Sequence, residues 1–274
     1  MAAILIPFDF SKNAILALDQ ALLIGAAGQR SIEVIHITND GVKKQYPASW
    51  KYEGGSTLPL EEKIREVIGK RREKLGVAGN SRIGVLVKES ATISGGLIAR
   101  MLQSKAKLLV MGTHGSTGLY DKVFGSNTAV MVNHSIFPVM VIPHDWKPAT
   151  IRQCKAAVQL KRVSTLAPVI KSWGKFFNCP VEAVEFTISK ESLGKIADAE
   201  KISNVPVKVL VNSIETPLAE DILNYTAKMK DTVLMLFTRE KTFLEKLLQP
   251  NLTYKLSGNI KIPLLAVPEG SLQN

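Results

Sequence analysis

The apolar residues of this chain fall into short unbroken runs, separated by stretches in which they recur every three or four positions. Ala2 to Ile6, Ile32 to Ile37, Ile83 to Val87, Leu108 to Met111 and Phe137 to Ile142 are such runs. Runs of this kind are expected of parallel strands buried on both faces. Between the first two, Ala14, Ile15, Leu16, Leu18, Ala21 and Leu22 repeat with helical spacing behind Ser11, which takes the N-cap position. Leu60 to Leu75 reads as a charged amphipathic helix, and Ser94-Gly95-Gly96 caps a helix that reaches Leu102. Strand and helix alternate at a spacing that predicts right-handed crossovers and a parallel sheet. Thr38 to Thr57 is irregular, with Pro47, Trp50, Tyr52 and the Gly54-Gly55 pair, and suits a lid or an interaction surface.

The pattern then repeats. Phe137-Pro138-Val139-Met140-Val141-Ile142-Pro143 aligns without a gap on Ile262-Pro263-Leu264-Leu265-Ala266-Val267-Pro268, and the same offset carries Met111 to Leu236 and Thr113 to Thr238. An offset shorter by one residue pairs Val85-Leu86-Val87 with Val209-Leu210-Val211, and Asp9 falls near Lys161. Pro143, His144, Asp145, Trp146, Lys147 and Pro148 form a stiff polar connector, so the expected domains are 1–147 and 148–274.

Chemistry concentrates between Leu108 and Asn133. An apolar strand ending in Met111 runs into Gly112 and Gly115, where the backbone can turn and approach a ligand that a Cβ would exclude. After nine more residues, Gly125, Ser126, Asn127 and Thr128 precede a helical pattern of Ala129, Val130 and Val132. The first amides of a helix lack intrahelical acceptors and sit at the positive end of its dipole, so an anion is favoured there. Hydroxyls on Ser126 and Thr128 can add donors. In the second copy Gly112, Gly115, Gly125 and Ser126 become Phe237, Glu240, Pro250 and Asn251. Side chains, an acid and a ring without N–H would block the same chemistry, which predicts one competent site per chain.

Charge and composition narrow the reading further. The formal net charge is +11, but 17 of 35 basic and 12 of 24 acidic residues lie up to Asp145, so the excess is shared between the halves. Lys70-Arg71-Arg72 lies beside Glu66 and Glu73 and reads as a solvated helix face rather than a nucleic-acid footprint. Cys154 and Cys179 belong to no C-x-x-C motif and are expected to be free thiols in a reducing compartment. His36, His134 and His144 make no metal-binding pair, so no metal site is expected. Met101, Met111, Met131 and Met140 fall on elements that should face the core. No signal segment or membrane span is expected, which points to the cytoplasm.

The spacing of Gly112, Gly115, Gly125 and Ser126, together with the Pro7-Phe8-Asp9 turn after the first strand, resembles the ATP-binding signature of the universal stress protein family. The resemblance spans the whole chain as a tandem member and is weaker after residue 150. It implies two doubly wound α/β domains, each a five-stranded parallel sheet in the order 3-2-1-4-5 flanked by helices. Ligands of such sheets bind at the switch point between strands 1 and 4. It further implies that Asp9 bonds the ribose hydroxyls and that the backbone of Ile37 meets the adenine edge. Gly112 would then lie under the ribose, while Gly115 and the turn from Gly125 through Ser126 and Asn127 to Thr128 hold the phosphates. Pro7 and Met111 frame these turns, and His114 either touches a phosphate or faces solvent. Phe8 and Lys107 depart from the family pattern, the first near the expected phosphate and metal, the second at the surface.

The function implied is a cytoplasmic ATP- or AMP-binding stress-response regulator, with or without magnesium, acting on an unidentified protein partner. The fifth strands of the halves should pack across a pseudo-two-fold axis, and homodimerisation stays open. Alternatives are a ligand-free interaction module, or a slow ATPase or autokinase using His114 or Asp121. No catalytic residue is assigned, because the chain has no nucleophile elbow, Walker lysine or Ser-His-Asp order.

Overall fold

A computed structural model describes residues 3–39, 58–77, 82–113, 126–134, 136–213, 215–238 and 261–268. Strands β1 (Ile4–Pro7), β2 (Ile32–Thr38), β3 (Ile83–Glu89), β4 (Leu108–Gly112) and β5 (Val139–Ile142) alternate with helices α1 (Lys12–Gly28), α2 (Leu58–Leu75), α3 (Ile93–Ser104) and α4 (Ser126–His134). The second half gives β6 (Gln153–Ala157), α5 (Val163–Phe177), β7 (Val181–Thr187), α6 (Ile196–Ser203), β8 (Val207–Val211), α7 (Leu218–Thr226), β9 (Thr232–Phe237) and β10 (Leu264–Val267). The expected α/β class holds, with one change of scale. Each half keeps the expected five strands in the order 3-2-1-4-5, and the two sets join edge to edge into one sheet, β3-β2-β1-β4-β5-β10-β9-β6-β7-β8.

The join is the antiparallel pairing of β5 with β10, in which Met140 faces Leu265, Val141 faces Leu264 and Val139 faces Ala266. Met140 and Leu265 are equivalent positions of the two copies, so the pairing is self-complementary about them, as at a two-fold interface. Every other neighbouring pair is parallel. Strands such as β4, β5, β9 and β10 are apolar along their length because both of their faces are covered.

At three corresponding turns the two halves carry equivalent hydrogen bonds. Phe8 N–H donates to the Ile35 carbonyl at 2.9 Å and Val158 N–H to Val184 at 3.0 Å. Likewise Ser90 donates to Thr38 and Asn212 to Thr187, and Thr113 donates to Ile142 and Thr238 to Val267. These bonds and the strand registers place Gln159 rather than Lys161 opposite Asp9, Glu185 opposite His36, and Phe186 opposite Ile37. Val207 rather than Val209 answers to Val85. Sequence offsets mislead here because the crossovers of the two copies differ in length.

The connector is not simply a polar spacer. Trp146 is buried, and its indole N–H donates to Gln20 Oε1 at 2.7 Å. Gln20, on α1 and with no exposed surface, also donates to the Ala149 carbonyl at 2.9 Å and accepts from the Ala149 N–H at 3.2 Å. One buried amide thus fastens the connector to α1. Nearby, the Arg30 guanidinium donates to the carbonyls of Phe176 and Lys175 at the carboxyl end of α5 and lies 4.0 Å over the Phe176 ring. Arg71, expected on a solvated face, instead pairs with the buried carboxylate of Asp19, while Lys70 does pair with Glu66 on the surface.

Candidate functional site

The switch point lies between β1 and β4. Along β1, Ile4 and Phe8 donate their N–H groups toward β2, to Ser31 and Ile35. Alternation therefore turns the peptide of Pro7 toward β4, where a proline has no N–H to give. The β1–β4 ladder pairs Ile4 with Leu108 and Leu5 with Leu109 and goes no further. In the second half Ala157 stands at the position of Pro7, and the β6–β9 ladder runs on from Gln153–Thr232 to Ala157–Leu236. One ring without an N–H thus coincides with the point where the β1–β4 pairing ends while the β6–β9 pairing continues.

The turn that follows β1 is held by its own residues. Asp9 Oδ1 accepts from Ser11 N–H at 3.0 Å, and Ser11 Oγ accepts from Ala14 N–H at 3.1 Å, which makes Ser11 the N-cap of α1 as its sequence position requires. Phe10 takes the left-handed conformation, with φ of 63°, which non-glycine residues adopt at a cost. Phe8 is buried and meets Phe10 edge-on at 5.0 Å, and Phe10 meets the His36 ring at 5.7 Å. His36 Nδ1 is 2.6 Å from the Phe8 carbonyl, so that nitrogen carries the proton and donates it. Burial pushes the imidazole pKa down, against smaller upward pulls from the Phe8 bond and the Asp9 carboxylate.

On β2 the carbonyl of Ile35 faces β1 and that of Thr38 faces β3. Ile37 shares the side of Ile35, so its peptide faces the space that β1 leaves after Pro7, while its side chain is buried. On β4 the amides of Leu109 and Thr113 donate to β5, which turns the peptide groups of Val110 and Gly112 toward the crevice. Met111 has its peptide on the β5 side and its side chain in the core. The carbonyl of Val110, absent from the sequence reading, is therefore better placed than anything Met111 offers. Only strand register reveals it.

Two expected roles look different in three dimensions. A Cβ on Gly112 would lie 2.7 Å from the Cβ and carbonyl oxygen of Asn13, so the missing side chain makes room for the first turn of α1. Thr128 is buried and its hydroxyl donates to the Gly112 carbonyl at 2.9 Å, which ties the start of α4 to the end of β4. Its proton is committed there rather than offered outward. Helix α4 begins at Ser126 with no acid in its first turn, and Asn127 is exposed. His114, Gly115, Asp121 and Gly125 lie outside the described residues, as do Glu240, Pro250 and Asn251 of the second copy. The Ser94-Gly95-Gly96 segment belongs to α3, whose N-cap is Thr92, and Gly96 fits closely against Ile37.

Among the described residues no three His, Cys, Asp or Glu side chains are grouped to hold a metal, and no helix is long and apolar enough to cross a membrane. Cys154 and Cys179 are free, and burial pushes the Cys179 thiol up to about 11.

The fold is similar to that of a universal stress protein from Archaeoglobus fulgidus DSM 4304, at 15% identity and TM-score 0.65, over 97% of this chain and 96% of that one. A functionally unknown protein from Pseudomonas aeruginosa PAO1 is similar at 12% identity and TM-score 0.60, over 97% and 92% of the two chains. The cytoplasmic domain of a prokaryotic cation chloride cotransporter follows at 9% identity and TM-score 0.51, over 100% and 97%. Identities this low speak to the fold alone. No curated protein matches the sequence significantly. The sequence model of the Universal stress protein family matches residues 1–143, the half that carries the shortened β1–β4 ladder and the glycine spacing, and the chain belongs to that family.

Proposed function

We propose that the protein binds one adenine nucleotide, ATP or AMP with or without magnesium, in the crevice between β1 and β4. It would act in the cytoplasm as a stress-response regulator whose occupancy biases a protein partner. The observation that carries this reading is the end of the β1–β4 ladder at Leu5–Leu109, beside the amide-less Pro7. The peptide groups it leaves toward the crevice, those of Ile37, Val110 and Gly112, are suited to the edges of a base and a sugar. Asp9 supplies a carboxylate for ribose hydroxyls. The amides at the start of α4, with the glycine segment before it, supply the anion site. Residues 1–147 are assigned to this role, and 148–274, where β6 and β9 remain paired, to packing against it through β5 and β10.

Equilibrium dialysis of ATP and AMP against the full chain tests the reading. Binding of one nucleotide per chain, lost in Gly115→Glu and in Gly125→Pro, is expected. Two equivalent nucleotides per chain, or none bound at ~1 mM, where binding contributes only about 4 kcal/mol, would overturn it.

A further inference from the structure

In the second half β6 and β9 stay paired as far as Ala157 and Leu236, yet an opening lies beside them. At the carboxyl ends of β6 and β7 lies an open cleft of about 90 Å³, lined among others by Val158, Glu185, Phe186, Leu218, Ile222 and Phe237. By strand register these include the positions of Phe8, His36, Ile37 and Gly112. In place of a neutral imidazole donating to a carbonyl, this half presents a carboxylate. Glu185 Oε1 accepts from the Leu160 N–H at 2.9 Å, whereas Glu185 Oε2 is buried and has no hydrogen-bond partner among the described residues. Arg162, also on the lining, is itself engaged in an interaction. A buried carboxylate oxygen without a donor is costly, and the side chain that carries this one lines the cleft.

We propose that this cleft is a second ligand site of different chemistry, taking a small organic amine whose N–H head bonds the Glu185 carboxylate as Oε2 turns toward the cleft. The apolar body of the amine would lie against Phe186, Ile222 and Phe237. The volume suits one ring or a short aliphatic chain and is too small for a nucleotide. The carboxylate selects against phosphate and carboxylate ligands, and charge assistance makes a protonated amine the strongest donor. The site is independent of nucleotide binding in the first half.

The test is a titration of the full chain with phenethylamine, followed by backbone amide shifts of Ala157, Phe186 and Ile222, with phenylacetate as the acidic counterpart. Saturable shifts with the amine alone are expected, weakened about tenfold or more in Glu185→Gln. Leu218→Trp, which fills the rim and keeps the carboxylate, should weaken them similarly and decides the matter if Glu185→Gln does not fold. ATP affinity should be the same in both variants. No saturable shift, equal response to phenylacetate, or undiminished binding in the folded variant would overturn the proposal.

Discussion

Pro7→Ala puts the crevice to a direct physical test. The substitution restores an N–H that faces β4, next to the Val110 carbonyl, at the point where the β1–β4 ladder stops. Ala157, its counterpart, sits in a ladder that continues to Leu236. If the strands zip in the same way, the new amide gains one backbone hydrogen bond, a net ~0.5–1.5 kcal/mol. Losing proline restores unfolded-state entropy worth about 0.4–1 kcal/mol, so global stability should barely change. Nucleotide affinity should change, because binding must now reopen that bond, and a roughly 2- to 10-fold weaker Kd follows from the same ~0.5–1.5 kcal/mol. Calorimetric titration with ATP gives the affinity, and hydrogen exchange of the amide at position 7 reports whether the ladder has extended. A slowly exchanging amide together with unchanged affinity would refute the reasoning that the early end of the β1–β4 ladder makes the site.

Other outcomes follow from the packing. Gln20→Leu should cost about 2–4 kcal/mol in urea unfolding, because the buried indole N–H of Trp146 and the groups of Ala149 lose their partner. Gly112→Ala should destabilise by ~1–3 kcal/mol with or without nucleotide, since the added Cβ meets Asn13 backbone rather than a flexible side-chain end. His36 is neutral in the folded protein because burial lowers its pKa, so the unfolded chain binds more protons below its ordinary value of about 6.5. Its contribution to stability is present above that value and is lost as pH falls from there through the folded pKa. Thermal midpoints compared between wild type and His36→Asn, at pH values above and below that window, should show a smaller pH dependence in the variant.

How much of this was legible beforehand varies with the physics involved. The strands were, because β1, β4, β5 and β10 are buried on both faces and therefore written as unbroken apolar runs. The N-cap at Ser11 was, because capping is local. The repeat of Phe137–Pro143 in Ile262–Pro268 showed the duplication, and the family resemblance implied that the fifth strands of the halves pack together, though not that the two sheets would merge into one. Peptide direction was not legible: Val110 and Met111 look alike in an apolar run, and only register shows which faces the crevice. Gly112 read only as a ligand contact, because a glycine before a turn suits both a ligand and a close helix, and Asn13, which also needs the missing side chain, lies far from it in sequence. Gln20 gave no signal, since one amide on an amphipathic helix looks solvated until Trp146 folds over it.

Hydrogen exchange with and without saturating ATP and magnesium separates the two halves most directly. The account predicts slowed exchange at Ile37 and across the first turn of α4 from Ser126 to Thr128, with no change at Phe186, the position equivalent to Ile37. Protection at Phe186 as strong as at Ile37, or no protection at either, would contradict it.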